Sequence, residues 1–222
     1  MKGMVIIMKS IITIGRQYGS GGLEIGELLA NTLKIPLYDK EITKRAAAKC
    51  GMSEEVLAKV DETATSSFLY AISTGSYMMQ SLYTGGNVEI PLNDQLYLAQ
   101  TEIIQMAARE GPCVFVGRCA DVILRERKNI VRVFVYADLA FRRRRVSEYE
   151  NVTEQKAEEI IAKADKKRAS YYNFYTHKKW GDRENYDLML NHSKIDSKTA
   201  AELILSYAAA KERQDAALSE NK

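Results

Sequence analysis

Gly15, Gly19, Gly21 and Gly22 cluster between two apolar segments of different period, and that arrangement can hold an anion. Upstream, Ile11, Ile12, Thr13 and Ile14 form an unbroken β-branched run, suited to a strand buried on both faces of a parallel sheet. Downstream, Leu23, Ile25, Leu28, Leu29 and Leu33 recur at helical spacing. The glycines free the backbone, so that successive N–H groups can turn toward one point. The following helix aims its unpaired first-turn N–H groups and the positive end of its dipole at the same place. A phosphate is the natural guest, and a plain tight turn between strand and helix is the alternative. Against the pattern G-x-x-x-x-G-K-[ST], with Gly21 as the last glycine, Arg16 stands at the first glycine, Gly22 at the lysine and Leu23 at the magnesium-binding hydroxyl. The candidate phosphate ligands are therefore Gly15, Arg16, Gly19, Ser20, Gly21 and Gly22. Arg16 is the nearest cation to take over the missing lysine's task.

Further cations follow at strand ends and on helix faces. Cys113 to Val116 reads as a buried strand running into Gly117-Arg118, which puts Arg118 at the mouth of a site; a surface ion pair is the alternative. Of the run Arg142 to Arg145, Arg142 and Arg145 share a helix face and could close over a transferring group, although a solvated basic face also explains such runs. Arg168 falls on the inward stripe of a long helix, where it needs an acidic or phosphate partner. Asp165, three residues earlier, could be that partner, or both could grip one ligand. Asp39 ends the short strand Lys34-Ile35-Pro36-Leu37-Tyr38-Asp39, at the end where α/β folds put their chemistry.

The elements that must position these groups are legible from period and punctuation. Leu96, Ala99, Ile103, Ile104 and Ala107 mark a helix ended by Gly111-Pro112. Ile130 to Tyr136 is a strand, Thr153 to Tyr175 one long helix with Tyr171, Tyr172 and Tyr175 inward, and Tyr186 to Asn191 the last strand. A helix from Lys198 to about Ala210 and a frayed polar tail close the chain. Ser53 starts a helix near Val56, and Asp61 to Asn93 loses clear period. That stretch reads as a mobile, partly helical insertion, or else as a surface hairpin or a contact in a homo-oligomer. Five buried strands alternating with helices make an α/β doubly wound sheet.

The chain of 222 residues, 46% apolar and 27% charged, suits one soluble domain. A net charge of +3 is too small to imply nucleic acid, but Asp138 to Arg183 holds twelve Lys and Arg against eight Asp and Glu, which favours an anionic ligand there. Three cysteines without metal spacing and two histidines make no metal site and point to a reducing cytoplasm. The apolar stretch Val5 to Ile7 is too short for a signal or a membrane span, and Met8 could be the natural start.

With those residues in view, the chain resembles the cytidylate kinase-like family of P-loop nucleoside monophosphate kinases. The stretches that carry the resemblance are ITIGRQYGSGG, IPLYDKEI, PCVFVGRCADVIL, VRVFVYAD with its arginines, ADKKRASYYNFYTHKKWGD and YDLMLN, in order from residue 11 to 191. The resemblance implies one P-loop kinase-like domain over 1–222, a three-layer α/β/α sandwich around a five-stranded parallel sheet. It further implies a helical monophosphate-binding insertion at about 40–110 and a lid-type segment at about 138–165. The family's phosphate and lid arginines match Arg142, Arg118 and Arg168, its base-contacting acid matches Asp165, and the residues after the second strand match Asp39 and Arg45. One further family arginine falls at Ile161 and the P-loop lysine at Gly22.

The expected activity is an ATP- and Mg²⁺-dependent transfer of the γ-phosphoryl to a small acceptor, a nucleoside monophosphate such as CMP. Arg16, Arg142 and Arg145 would serve the transferring group, while Asp39, Arg45, Arg118, Asp165 and Arg168 would seat the acceptor. Competing readings are a nucleotide sensor without phosphotransfer, supported by the missing lysine and hydroxyl, and single-stranded nucleic-acid binding by Lys166 to Trp180. The second is disfavoured because the tyrosines fit the inward stripe.

Overall fold

The computed structural model of the chain describes residues 8–53 and 90–220. The expected helix near Val56 and the insertion up to residue 89 lie outside those residues. The elements run β1 (Ile11–Arg16), α1 (Gly22–Leu33), β2 (Leu37–Tyr38), α2 (Lys40–Lys49), α3 (Leu92–Glu110), β3 (Val114–Val116), α4 (Ala120–Ile123), β4 (Ile130–Tyr136), α5 (Leu139–Glu150), α6 (Glu154–Thr176), a 3₁₀ turn (Arg183–Asn185), β5 (Leu188–Asn191) and α7 (Ser197–Glu220). The five strands form one parallel sheet in the order β2-β3-β1-β4-β5.

Alternation along β1 explains the layering. Ile12 and Ile14 face Val114, Val116, Val131 and Val133 together with Ile25 and Leu29 of α1 and Ile204 of α7. Ile11 faces the other way, into Phe115, Ile130, Ile42 of α2 and Ile104 of α3. Most strand side chains near the centre are thus dry on both faces, half-buried Arg132 being an exception, which is why the sequence runs are largely apolar without alternation. The result is the expected α/β/α sandwich with a five-stranded parallel sheet.

Thr153 caps α6 with its hydroxyl, which accepts from Lys156 N at 3.2 Å. Several boundaries differ from expectation: the strand read over Lys34 to Asp39 is confined to Leu37–Tyr38, and the last strand, read from Tyr186, begins at Leu188. Leu92 and Asn93, read as the end of the aperiodic stretch, already belong to α3. The polar tail does not fray after Ala210: α7 continues to Glu220, tied to the sheet by Glu212, which accepts from Lys9 N and Ser10 Oγ at 2.7 Å each.

Candidate active site

The carboxyl ends of β1 and β3 are neighbours whose chains leave toward opposite faces, β1 into α1 and β3 into α4. A crevice opens at such a switch point. Gly15, Arg16, Gly117, Arg118, Asp121 and Arg168 line it, with Trp180 and Tyr186 on its aromatic wall. Gly117, Arg118 and Cys119 all have positive φ, of 79°, 58° and 55°. Two successive non-glycine residues in the left-handed region are costly, and such strain concentrates at functional sites. Here it turns the chain so that Arg118, only 6% exposed, ends in the crevice.

Arg16 takes an unusual route. A Cβ on Gly22 would lie 2.6 Å from Arg16 Cβ and 3.1 Å from Cγ, and a Cβ on Gly117 would meet the Arg16 guanidinium. The side chain therefore runs between two glycines, over the position where the phosphate-loop pattern has its lysine. Its Nη2 reaches to 3.7 Å from Asp39 Oδ1. Arg168 Nη1 donates to Arg16 O at 3.2 Å, and its guanidinium stands 5.3 Å from the Tyr18 ring centre. The structure thus gathers Arg16, Arg118, Arg168 and Asp39 on one side of the loop.

The other expected site residues have different partners. Arg142 is buried, its Nη1 2.6 Å from Asp165 Oδ2 and 3.4 Å from Tyr18 O, while Asp165 Oδ1 accepts from Tyr18 N at 2.7 Å. The pair grips both backbone groups of one loop residue. Asp165, read from the sequence either as the partner of Arg168 or as gripping a ligand together with it, is instead bonded to Arg142 on α5, a pairing between helices. Arg145 Nη2 donates to Glu24 Oε2 at 2.8 Å beside the loop. Arg45 is exposed and pairs with Glu41 one turn away at 3.0 Å, outside the crevice.

Sequence reading missed Asp121, Trp180, Tyr186 and His192. Asp121 is buried at the crevice wall and accepts from Tyr172 Oη at 2.7 Å. Burial pushes its carboxyl above the usual range, only partly countered by that hydrogen bond. Tyr171 and Tyr175 of the same stripe donate to Gln100 and Asp94 at 3.0 and 2.9 Å, so the tyrosines are interior anchors rather than stacking platforms. His192 directly follows β5, a half-buried edge strand, and its signal was that position: one residue past the end of a parallel strand.

Two spaces are available. The arginine crevice encloses about 30 Å³, enough for water, so a ligand entering it must displace side chains. Beside it, Gln17, Phe134, Tyr136, Trp180, Gly181 and Met189 line a more open pocket of about 340 Å³, within the usual ligand range. Leu23, 38% exposed, brings no oxygen to the pattern's hydroxyl position. Among the described residues no group of three His, Cys, Asp or Glu side chains could hold a metal. The described side chains therefore offer no three-ligand set for a resident metal ion. Among the described residues, too, no helix is long and apolar enough to cross a membrane.

Residues 11–194 match the sequence profile of the cytidylate kinase-like family. The chain belongs to that family. An uncharacterized protein from Eubacterium ventriosum ATCC 27560 shares 29% identity with this cytidylate kinase-like protein, with 90% of this chain and 98% of that one covered at a TM-score of 0.67. A shikimate kinase from Acinetobacter baumannii, in complex with shikimate, is 13% identical, covers 91% and 94%, and has a TM-score of 0.49. A gluconokinase from Sinorhizobium meliloti 1021 is 12% identical, covers 97% and 98%, and has a TM-score of 0.47. No curated protein is similar enough in sequence to count as a relative.

Proposed function

We propose that this cytidylate kinase-like protein transfers the γ-phosphoryl of ATP, supplied as its magnesium complex, to a small acceptor that itself carries a phosphate, a nucleoside monophosphate such as CMP. The observation that carries this reading is the route of Arg16, whose stem passes Gly22 and whose guanidinium ends beside Gly117 and Asp39, which brings a cation into the crevice next to a loop that lacks the lysine. Phosphoryl transfer asks mainly for positioning and for positive charge around the equatorial oxygens. The Gly19 to Gly22 backbone would hold the donor phosphates, and Arg16 would meet the bridging and transferring oxygens. Arg118 and Arg168 would seat the acceptor phosphate, and the acceptor's flat ring would lie in the aromatic pocket, since Trp180 lines both spaces. Arg142 and Asp165 take a different part from the one their family match suggests: they hold Tyr18 and so keep the loop in shape.

A coupled assay of ADP release with ATP, Mg²⁺ and each common monophosphate tests the reading, with Gly21→Val as the control for a damaged loop. Turnover with at least one monophosphate, lowered about 10³-fold or more in Arg16→Ala, is expected, on the scale of a lost transition-state arginine. A second reading, a nucleotide sensor, is favoured by one observation: Arg142 and Arg145 are engaged by Asp165 and Glu24 rather than turned to a ligand. Nucleotide binding without turnover on any acceptor decides for it.

A further inference from the structure

His192 is 4% exposed, and its ring is wedged between Ser20 of the phosphate loop and Ser197 at the start of α7. Ser20 O is a carbonyl oxygen and can only accept, so Nδ1, 2.7 Å away, carries a hydrogen. On the ring's other side Nε2 lies 2.9 Å from Ser197 Oγ, and that same hydroxyl contacts Glu24 Oε1. A hydroxyl has one hydrogen for these two neighbours. With a neutral ring and an ionised Glu24, one of the two contacts would set lone pair against lone pair. One additional proton in the cluster satisfies both.

The charged groups around the ring decide where that proton resides. From α1 comes Glu24, from α5 Arg145, and from the turn before α7 Asp196, with the Phe141 ring edge-on at 5.5 Å. Arg145 donates to Glu24 Oε2, which favours the ionised carboxylate there. Burial pushes the Glu24 carboxyl upward, but the Ser197 and Arg145 hydrogen bonds outweigh it and hold the group below its ordinary value. That leaves the imidazole.

We propose that His192 is a positioning residue of the phosphate loop, acting as an imidazolium, and that anion binding at the loop is therefore linked to its proton. The proposal rests on the reading of the loop as the donor-phosphate site. A trans peptide sets its C=O and N–H in opposite directions. Drawing Ser20 O toward His192 turns the Gly21 N–H the other way, among the loop's anion-facing amides. The fit is close, since a Cβ on Gly21 would lie 2.5 Å from Nδ1. The imidazolium also strengthens its bond to Ser20 O and adds positive charge behind the loop. Loss of the proton leaves Ser197 to serve either Nε2 or Glu24.

The test uses the full chain. NMR of the histidine Cε1–Hε1 signals, assigned with His192→Gln, is followed from about pH 5.5 to about pH 8.5, where histidine ordinarily titrates. Inorganic sulfate, whose charge is constant over this range, is titrated in parallel on the backbone amides. An imidazolium His192 at the acid end is expected, with sulfate affinity falling about tenfold toward the alkaline end and weak, pH-independent binding in His192→Gln. If that variant does not fold, Ser197→Ala serves instead, and the His192 titration should move with the ring still seated. A ring that stays neutral throughout overturns the proposal, as does sulfate binding that is absent, independent of pH, or unchanged in profile in His192→Gln. Sulfate binding with the expected profile but no ATP binding supports the proposal and overturns only the ATP reading.

Discussion

Gly22→Ala is the substitution that most directly interrogates the route of Arg16. Gly22 opens α1, where Ala would ordinarily stabilise a helix by about 0.5 to 1 kcal/mol. The added Cβ, however, would sit 2.6 Å from Arg16 Cβ and 3.5 Å from Ile14 Cγ2. The first is a backbone-attached atom of a central strand, not the end of a flexible chain, so it cannot swing aside. Overpacking of this kind costs about 1 to 3 kcal/mol, which leaves a net loss of up to about 2.5 kcal/mol. For a domain of this size that lowers the melting temperature by up to about 10 °C. The clashing atom makes the test sharp. Arg16→Ala retains it and should not relieve Gly22→Ala, whereas Arg16→Gly removes it and should. Thermal denaturation of the singles and both doubles forms a double-mutant cycle, and steady-state kinetics follow Gly22→Ala and Gly22→Lys. Both should lose turnover, because a side chain at residue 22 expels Arg16 from its path before any new cation can serve. Wild-type stability and turnover in Gly22→Ala, or equal relief by both Arg16 variants, would refute the reasoning.

Arg142→Met and Asp165→Ala should each destabilise by about 2 to 4 kcal/mol in denaturant titrations, somewhat below a fully buried pair because both side chains retain slight solvent contact; a loss under about 1 kcal/mol would contradict the pairing. Asp165→Ala should be the worse, since it also frees Tyr18 N. Asp121 has a folded pKa above its unfolded one, so it favours folding below the ordinary carboxylate value of about 4 and costs stability as pH rises through the folded value. Asp121→Asn should accordingly melt above wild type at neutral pH and lose that advantage in acid, and a difference independent of pH would count against it. Arg168→Ala should weaken monophosphate binding roughly tenfold to a hundredfold in isothermal titration, as a lost charge-assisted bond predicts, and unchanged affinity would remove Arg168 from the acceptor site.

Period and punctuation determined most of the architecture by themselves. Ile130 to Tyr136 reads as a strand and is one, because its dry positions, Ile130, Val131, Val133, Phe134 and Val135, accept only apolar residues, while Arg132 stands at a half-buried one. The glycine cluster after Ile14 announced its loop, because a turn that brings N–H groups together needs residues without a Cβ. What a charged residue touches was not legible in the same way. Arg168 and Asp165 lie three apart on one helix, yet Asp165 belongs to Arg142, because α5 packs against α6 and brings a guanidinium nearer than the helix's own. Arg45 follows the second strand as the family pattern asks, but in this structure its nearest acid is Glu41, four residues back and in solvent. The path of Arg16 depends on Gly117, about a hundred residues away, and the hold on Ser20 depends on His192 and Ser197, on the far side of the sheet's last strand. Burial repeats along an element and leaves a local signature in the chain. An ion pair or hydrogen bond between elements joins two residues that need share no pattern, so only the tertiary structure decided which of the site's charges are spent and which face the crevice.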